Sequence, residues 1–342
     1  MSQLPAQLLH DLKSISGTAG FRPACERDTS DPRGRYSGNS KWVFRPADTN
    51  TLAQIIARCA EARQAVIPLG GATGLVAGHI DQSNRPSVLL STERLNKIRK
   101  VDADDSVLVA EAGAVLANVQ QAAAQHRLLF PLSLASEGSC TLGGNLATNA
   151  GGVQVLRYGN TRDLVLGIEA VMPNGSVLHN LSPLRKDNTG YDIKNLLIGS
   201  EGTLGLITAA SLKLFPEVKE HCTALCPLPS PAHALKLLTF LKSAFAESIS
   251  AFELLAGQGL MFLTEHFPNL QQAHSPPAEW SVLIELGNTR AVSMASDFEQ
   301  GLAKALEKEL ITDAVICQSE SQRQQLWQLR EHIPLANAKV GA

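Results

Sequence analysis

Apolar positions along this chain recur with two periods, one helical and one of strands, and their texture changes near Pro216. From Thr51 to Ala62 the run TLAQIIARCAEA keeps the 3.6-residue helical period, behind Asp48 and Asn50 as capping candidates. Ala65 to Leu69, Val88 to Ser91 and Ser106 to Glu111 are apolar runs of strand length, and Gly113 breaks the last before a second helix, Leu116 to Gln125. Leu164 to Met172 and Val177 to His179 read as a hairpin closed by Pro173-Asn174-Gly175. Leu206 to Phe215 is the last strand of this half. Beyond it come a strand (from Thr223), a helix (Pro231 to Ala246), a strand (Ile249 to Leu255) and a short helix (Gly259 to His266). A proline-containing loop (Phe267 to Pro277) precedes a strand (Ser281 to Leu286), a helix (Ala291 to Leu310), a strand (Val315 to Gln318) and a helix (Glu320 to Glu331). That order fits a βαββαβ unit, a two-layer α+β design.

The length of 342 residues suits about two domains and a core that needs no staples. Thirty basic against 32 acidic residues give net charge −2, without the basic footprint of a nucleic-acid binder. No apolar run approaches the roughly 18–20 residues that span a bilayer, so no transmembrane segment is expected. The start, MSQLPAQLLHDLKSISG, has no secretory pattern and is not Arg-rich, so the expectation is a cytoplasmic globular protein. Six cysteines are too few for a disulfide scaffold. Cys222 and Cys226, beside His221, are spaced for one face of a strand and read as small buried groups rather than as a metal site.

Three glycine clusters carry the candidate chemistry. The first, Gly70-Gly71-Ala72-Thr73-Gly74 continuing to Gly78, has no lysine for a Walker loop and does not open a helix as a Rossmann fingerprint would. It suits a diphosphate held by backbone N–H groups, with glycines supplying positive φ, or else a plain tight turn. The second, Ser136 to Gly152, holds five of the chain's 26 glycines, too many for a core, and reads as a long loop or a wall against a flat ligand. The third is Gly199-Ser200-Glu201-Gly202-Thr203-Leu204-Gly205, ahead of the strand from Leu206.

In this order, Pro68 to Leu75, TLGGNLATNAGG with Arg157-Tyr158-Gly159, and RKDNTGYD with LLIGSEGTLGLIT resemble the FAD-binding domain of the vanillyl-alcohol oxidase (PCMH-type) superfamily. Within it the likeness is to the branch of D-2-hydroxyglutarate dehydrogenase, D-lactate dehydrogenase and the glycolate oxidase FAD subunit. The resemblance implies an α+β protein: an N-terminal segment (1–40), a two-subdomain PCMH-type FAD-binding domain (41–217) and an incomplete ferredoxin-like cap domain (218–342). It implies an FAD-dependent oxidoreductase that oxidises a D-2-hydroxy acid to the 2-oxo acid. A reductase on the same fold, and a flavin-binding remnant without turnover, are the alternatives.

Residue by residue, the resemblance implies that Pro68, Gly70, Gly71, Ala72, Thr73, Gly74, Leu75 and Gly78 wrap the FAD diphosphate. Pro131, Ser136, Gly138, Thr141, Gly143, Gly144 and Asn145 would flank diphosphate and flavin. Thr148, Asn149 and Gly151 would approach the isoalloxazine ring, and Glu201, Gly202 and Ile207 would close the ribityl and adenine side. Nothing near His79 in sequence activates it, so FAD is expected to be non-covalent. Arg330 is the one substrate contact at a matching place, a carboxylate clamp. Relatives continue past this chain's end into a metal-binding stretch, so the expectation is no divalent metal and weak or no turnover. The electron acceptor stays unnamed, and a homodimer is expected. Asp187, Asn188, Tyr191 and Asp192 read as a capped turn, and Trp280 and Trp327 as packing anchors.

Overall fold

The computed structural model describes residues 4–83, 85–270, 273–274 and 276–341; parts of both chain ends and of the Phe267–Pro277 loop lie outside the described residues. The chain forms two compact units, Met1–Gly151 with Asn160–Pro216, and Gly152–Gly159 with Glu217–Ala342.

In the first unit a four-stranded sheet runs in the order Phe21–Pro23, Trp42–Phe44, Ser87–Ser91, Ala65–Leu69, the last three mutually parallel. Ser87–Ser91 is buried at all five positions, which is why it reads as a continuous run instead of an alternation. The helix Thr49–Glu61 starts where Asp48 Oδ1 accepts the Thr51 N–H at 2.7 Å, so Asp48 is the cap and Asn50 lies inside the first turn. Its stripe of Leu52, Ile55, Ile56 and Cys59 packs with Phe44, Val88 and Leu90. A second helix, Ala6–Ser16, adds Leu8 and Leu12. Each of these large side chains contributes about 1.5–3 kcal/mol by burial. A second, antiparallel sheet has the order Ile98–Asp102, Val107–Glu111, Leu206–Lys213, Val165–Val171, Val177–Asn180. The expected hairpin is there: Val171 pairs with Val177, and Gly175 turns the chain at φ +83°. A buried carboxylate, Glu169, accepts from Thr49, Thr208 and Arg99 and ties helix to sheet.

The second unit is built on an antiparallel sheet in the order Ile249–Ala256, Trp280–Asn288, Glu220–Leu228, Val315–Ile316. By sequence that is 2-3-1-4, the order of the expected βαββαβ unit. Helices Pro231–Phe245 and Ala295–Glu307 cover one face, where Phe245 and Phe298 meet edge to face at 6.0 Å. Helices Gly257–His266 and Glu320–Lys339 cover the other. Cys222 and Cys226 are buried on the first face, and burial pushes the Cys226 thiol up to about 12.

Three elements depart from the reading of the sequence. The glycine-rich stretch after Ser136 contains a helix, Leu142–Ala147, because Thr141 caps it and Leu142 and Leu146 bury on one side. Gly143 makes that burial feasible: a Cβ there would lie 2.6 Å from the Ala112 Cβ. The last helix continues past Glu331, through Pro334, to Lys339. Pro334 cannot donate to the Arg330 carbonyl, but Leu326, Leu329 and Ala336 bury together along the helix and keep it going. Finally, Gly152–Gly159, part of the FAD-domain motif by sequence, groups with the second unit, where Arg157 Nη1 donates to the Gly287 carbonyl at 2.7 Å.

Candidate functional site

The three glycine clusters converge on one cleft of the first unit. Its floor is the carboxyl end of the strand Ala65–Leu69, where the chain leaves the parallel sheet. The helix Leu142–Ala147 and the loop from Leu197 to Ile207 supply the other walls. Main chain packs directly on main chain. A Cβ on Gly71 would sit 2.3 Å from the Ser139 carbonyl oxygen, one on Gly70 would sit 2.9 Å from Thr141 Oγ1, and one on Gly202 2.5 Å from the Pro68 ring. The Gly199 and Glu201 N–H groups donate to the Leu146 and Ala147 carbonyls at 3.0 and 2.9 Å, which fastens the third cluster to the helix of the second.

Positive φ does not fall where the sequence suggested. Gly71 and Gly74 lie outside the left-handed region, and Ala72 (φ 55°) and Ala77 (φ 58°) adopt it instead. An alanine held there costs about 1–2 kcal/mol, a strain of the kind that gathers at ligand sites. Gly71 is a glycine for close approach. Gly74 is different: nothing lies within 4 Å of a Cβ placed on it, so its bare face is open.

Among the described residues, the main-chain N–H groups from Ala72 to His79 donate to no protein acceptor. The first turn of the helix Leu142–Ala147 is already satisfied, by the Ala114 and Ala112 carbonyls and Thr141 Oγ1. Free donors therefore belong to the first loop and not to this helix. Among the described residues, no lysine or arginine lines the cleft, and the titratable side chains that do are His79, Cys140 and Glu201. Burial lowers the His79 pKa, against the Ser30 main chain and the Asp31 and Asp28 carboxylates, which raise it. Unfilled backbone donors, glycine walls and a carboxylate fit a dinucleotide whose phosphates meet N–H groups rather than cations.

Of the residues singled out by sequence, Pro68, Gly70, Gly71, Ala72, Thr73, Gly74 and Gly78 line the cleft. So do Thr141, Gly143, Gly144, Asn145, Thr148, Glu201, Gly202 and Ile207. Six lie elsewhere. Leu75, Gly138 and Gly151 face solvent, and Pro131 is buried away from the lining. Ser136 turns the chain by accepting from the Ser139 and Cys140 N–H groups. Asn149, at φ 47°, accepts the Arg162 N–H at 2.9 Å and is spent on that turn. Arg330, in the second unit, pairs through Nε with Glu253 Oε2 at 2.7 Å. Asp187 and Asp192 make the capped turn expected of them, accepting from the Thr189 and Asn195 N–H groups.

Sequence reasoning missed Thr92, Cys140, Leu197 and Gly205 as lining residues, and passed over His79. Thr92 carries no local signal. It enters because it follows Ser91, which pairs in parallel register with Leu69 at the cleft floor.

Comparison with known proteins places this geometry. Residues 40–180 match the FAD binding domain, and residues 217–342 match the C-terminal domain of FAD linked oxidases. The chain is 38% identical over 317 residues to the mitochondrial D-2-hydroxyglutarate dehydrogenase of Arabidopsis thaliana, covering 93% of this chain and 56% of that protein. It is 38% identical over 304 residues to that of Bos taurus, covering 89% of this chain and 55% of that protein. A solved structure of p-cresol methylhydroxylase superposes with TM-score 0.72 at 12% identity, over 93% of this chain and 68% of that one, a likeness of fold. Both relatives are named as mitochondrial, which overturns the cytoplasmic expectation. Composition and charge describe a globular surface, whereas an address is a short segment that such averages do not register.

Proposed function

Because this chain belongs to the FAD linked oxidases, with their FAD binding domain followed by their C-terminal domain, we propose that it binds FAD non-covalently in the glycine-walled cleft and oxidises a D-2-hydroxy acid to the 2-oxo acid. The observation that carries the cofactor reading is the run of main-chain N–H groups from Ala72 to His79 that, among the described residues, donate to no protein acceptor, on a cleft that Gly143 and Gly144 also line. Bound FAD supplies the two-electron acceptor for the hydride that such a substrate loses from its α-carbon. Glycine walls admit a flat ligand closely, and Thr141 Oγ1 accepts from the Gly144 N–H while Asn145 Nδ2 donates to Cys140 Sγ, which orients both side chains in the wall.

Arg330 is the proposed carboxylate clamp. Its pair with Glu253 engages Nε and fixes the guanidinium plane, and among the described residues its two terminal nitrogens have no hydrogen-bond partner. That is the edge a carboxylate meets in a bidentate contact.

The purified protein is expected to be yellow, to release intact FAD on heating, and to lose its yellow absorbance anaerobically when D-2-hydroxyglutarate or D-lactate is added. Arg330→Ala should raise the substrate concentration for half-maximal bleaching about 10- to 100-fold. A colourless protein that takes up no FAD sinks the cofactor reading. Bound flavin that no D-2-hydroxy acid bleaches sinks the substrate class alone.

A further inference from the structure

His79 is the unexplained residue of the cleft. It is 8% exposed and lines the cavity, and its Nε2 is buried with no hydrogen-bond partner in the protein. Buried polar atoms are ordinarily paired, and leaving one unpaired costs its full desolvation. The Ser30 main chain, beside the ring, favours its protonated form but not enough to offset burial. A neutral imidazole has one N–H and one lone pair, and with the proton on Nδ1 the buried Nε2 is a lone-pair acceptor.

We propose that His79 is a direct cofactor contact whose unprotonated Nε2 accepts a hydrogen bond from an N–H or O–H of bound FAD. This rests on the FAD reading above and goes past it, because a lone pair selects which part of the cofactor meets this wall. Phosphate oxygens are acceptors and are excluded; ribose and ribityl hydroxyls, the adenine amino group and the flavin N3–H are admitted. Glu201 points the same way. A Cβ on neighbouring Gly78 would lie 3.1 Å from its Oε2, so a carboxylate stands beside this stretch and adds a second acceptor, one that repels a diphosphate.

The ring is neutral by the physics of its setting. Burial pushes its pKa below 6.5, more than the Ser30 bond and the Asp31 and Asp28 carboxylates raise it. Asp28, near 2, and Asp31, also lowered, stay ionised from pH 5 to 7, so neither carboxylate changes charge over the range in which His79 is tested.

The test is FAD titration into the apo-protein, followed by quenching of flavin fluorescence, with the apo melting temperature measured in parallel. His79→Phe keeps the ring volume without the acceptor, and its FAD Kd is expected to rise about 10- to 100-fold at unchanged melting temperature. His79→Gln, which places an amide oxygen near the Nε2 position, should stay within about threefold of wild type. In the wild type, Kd should rise as pH falls from 7 to 5, because protonated Nε2 turns from acceptor to donor. In His79→Gln that rise should vanish, and its persistence would overturn the proposal. The pH comparison decides the matter even if the Phe variant fails to fold. Wild-type affinity in His79→Phe, or a loss that Gln does not relieve, also overturns it, as does flavin that stays with acid-precipitated protein. Failure of the wild type to bind FAD would strike the cofactor reading instead.

Discussion

Gly74→Val is expected to leave the apo-protein folded and to weaken FAD binding at least about 100-fold, whereas Gly71→Val should destabilise the fold itself by about 3 kcal/mol or more. The two glycines sit three residues apart in one loop, yet a Cβ added at each meets different surroundings. At Gly74 a side chain meets nothing within 4 Å, so valine fills only the space the cofactor needs. At Gly71 the same Cβ lies 2.3 Å from the Ser139 carbonyl oxygen and 2.9 Å from the Cys140 Cα. Those are backbone atoms tied by the Ser139 and Cys140 bonds to Ser136, and they cannot swing aside. The resulting overpacking is worth on the order of 3 kcal/mol or more. Far-UV circular dichroism and melting of the apo-proteins, beside FAD titration, separate the two. A Gly74→Val protein that binds FAD like the wild type would contradict the placement of the cofactor.

Glu285→Ala is expected to destabilise the second unit by about 3–5 kcal/mol, the usual cost of removing one member of a buried ion pair. The Glu285 carboxylate is 1% exposed. It accepts from Arg323 Nε at 2.7 Å, Trp327 Nε1 at 2.7 Å and Thr223 Oγ1 at 3.0 Å, with His221 Nδ1 3.3 Å away. It joins the sheet to the helix Glu320–Lys339. Burial alone would raise its pKa, but His221 and Arg323 outweigh it and hold the carboxyl at about 2, below its ordinary 4.5. A lowered carboxylate pKa adds stability above the unfolded value, and that stability drains away as pH falls from about 4.5 through about 2. Glu169 and Asp28, each held at about 2, add the same acid dependence in the first unit. Acid titration by circular dichroism should therefore show a shallower loss of stability over that window in Glu285→Gln than in the wild type. A Glu285→Ala melting temperature equal to the wild type's would refute the assignment.

Much of this protein is written in its local pattern. The helix from Thr49, the hairpin at Asn174-Gly175 and the strand-helix order beyond Pro216 each follow from a period, a cap or a turn residue within a few positions, and the structure repeats them. The three glycine motifs were also legible as walls, because so many small residues cannot form a core unless something else fills the space.

What sequence determined here is therefore the elements, and the presence of a site built from backbone. Only the tertiary structure decided which glycine does what. Gly71 is small for Ser139, Gly143 for Ala112 and Gly74 for the open cleft, and those partners lie up to 68 residues away or in no residue at all. The same holds for His79 and Thr92, whose roles depend on which strand ends beside Leu69. The physical reason is range: periods, caps and turns are set by neighbours along the chain, while close approach, burial and an unpaired nitrogen are properties of what the fold brings across it.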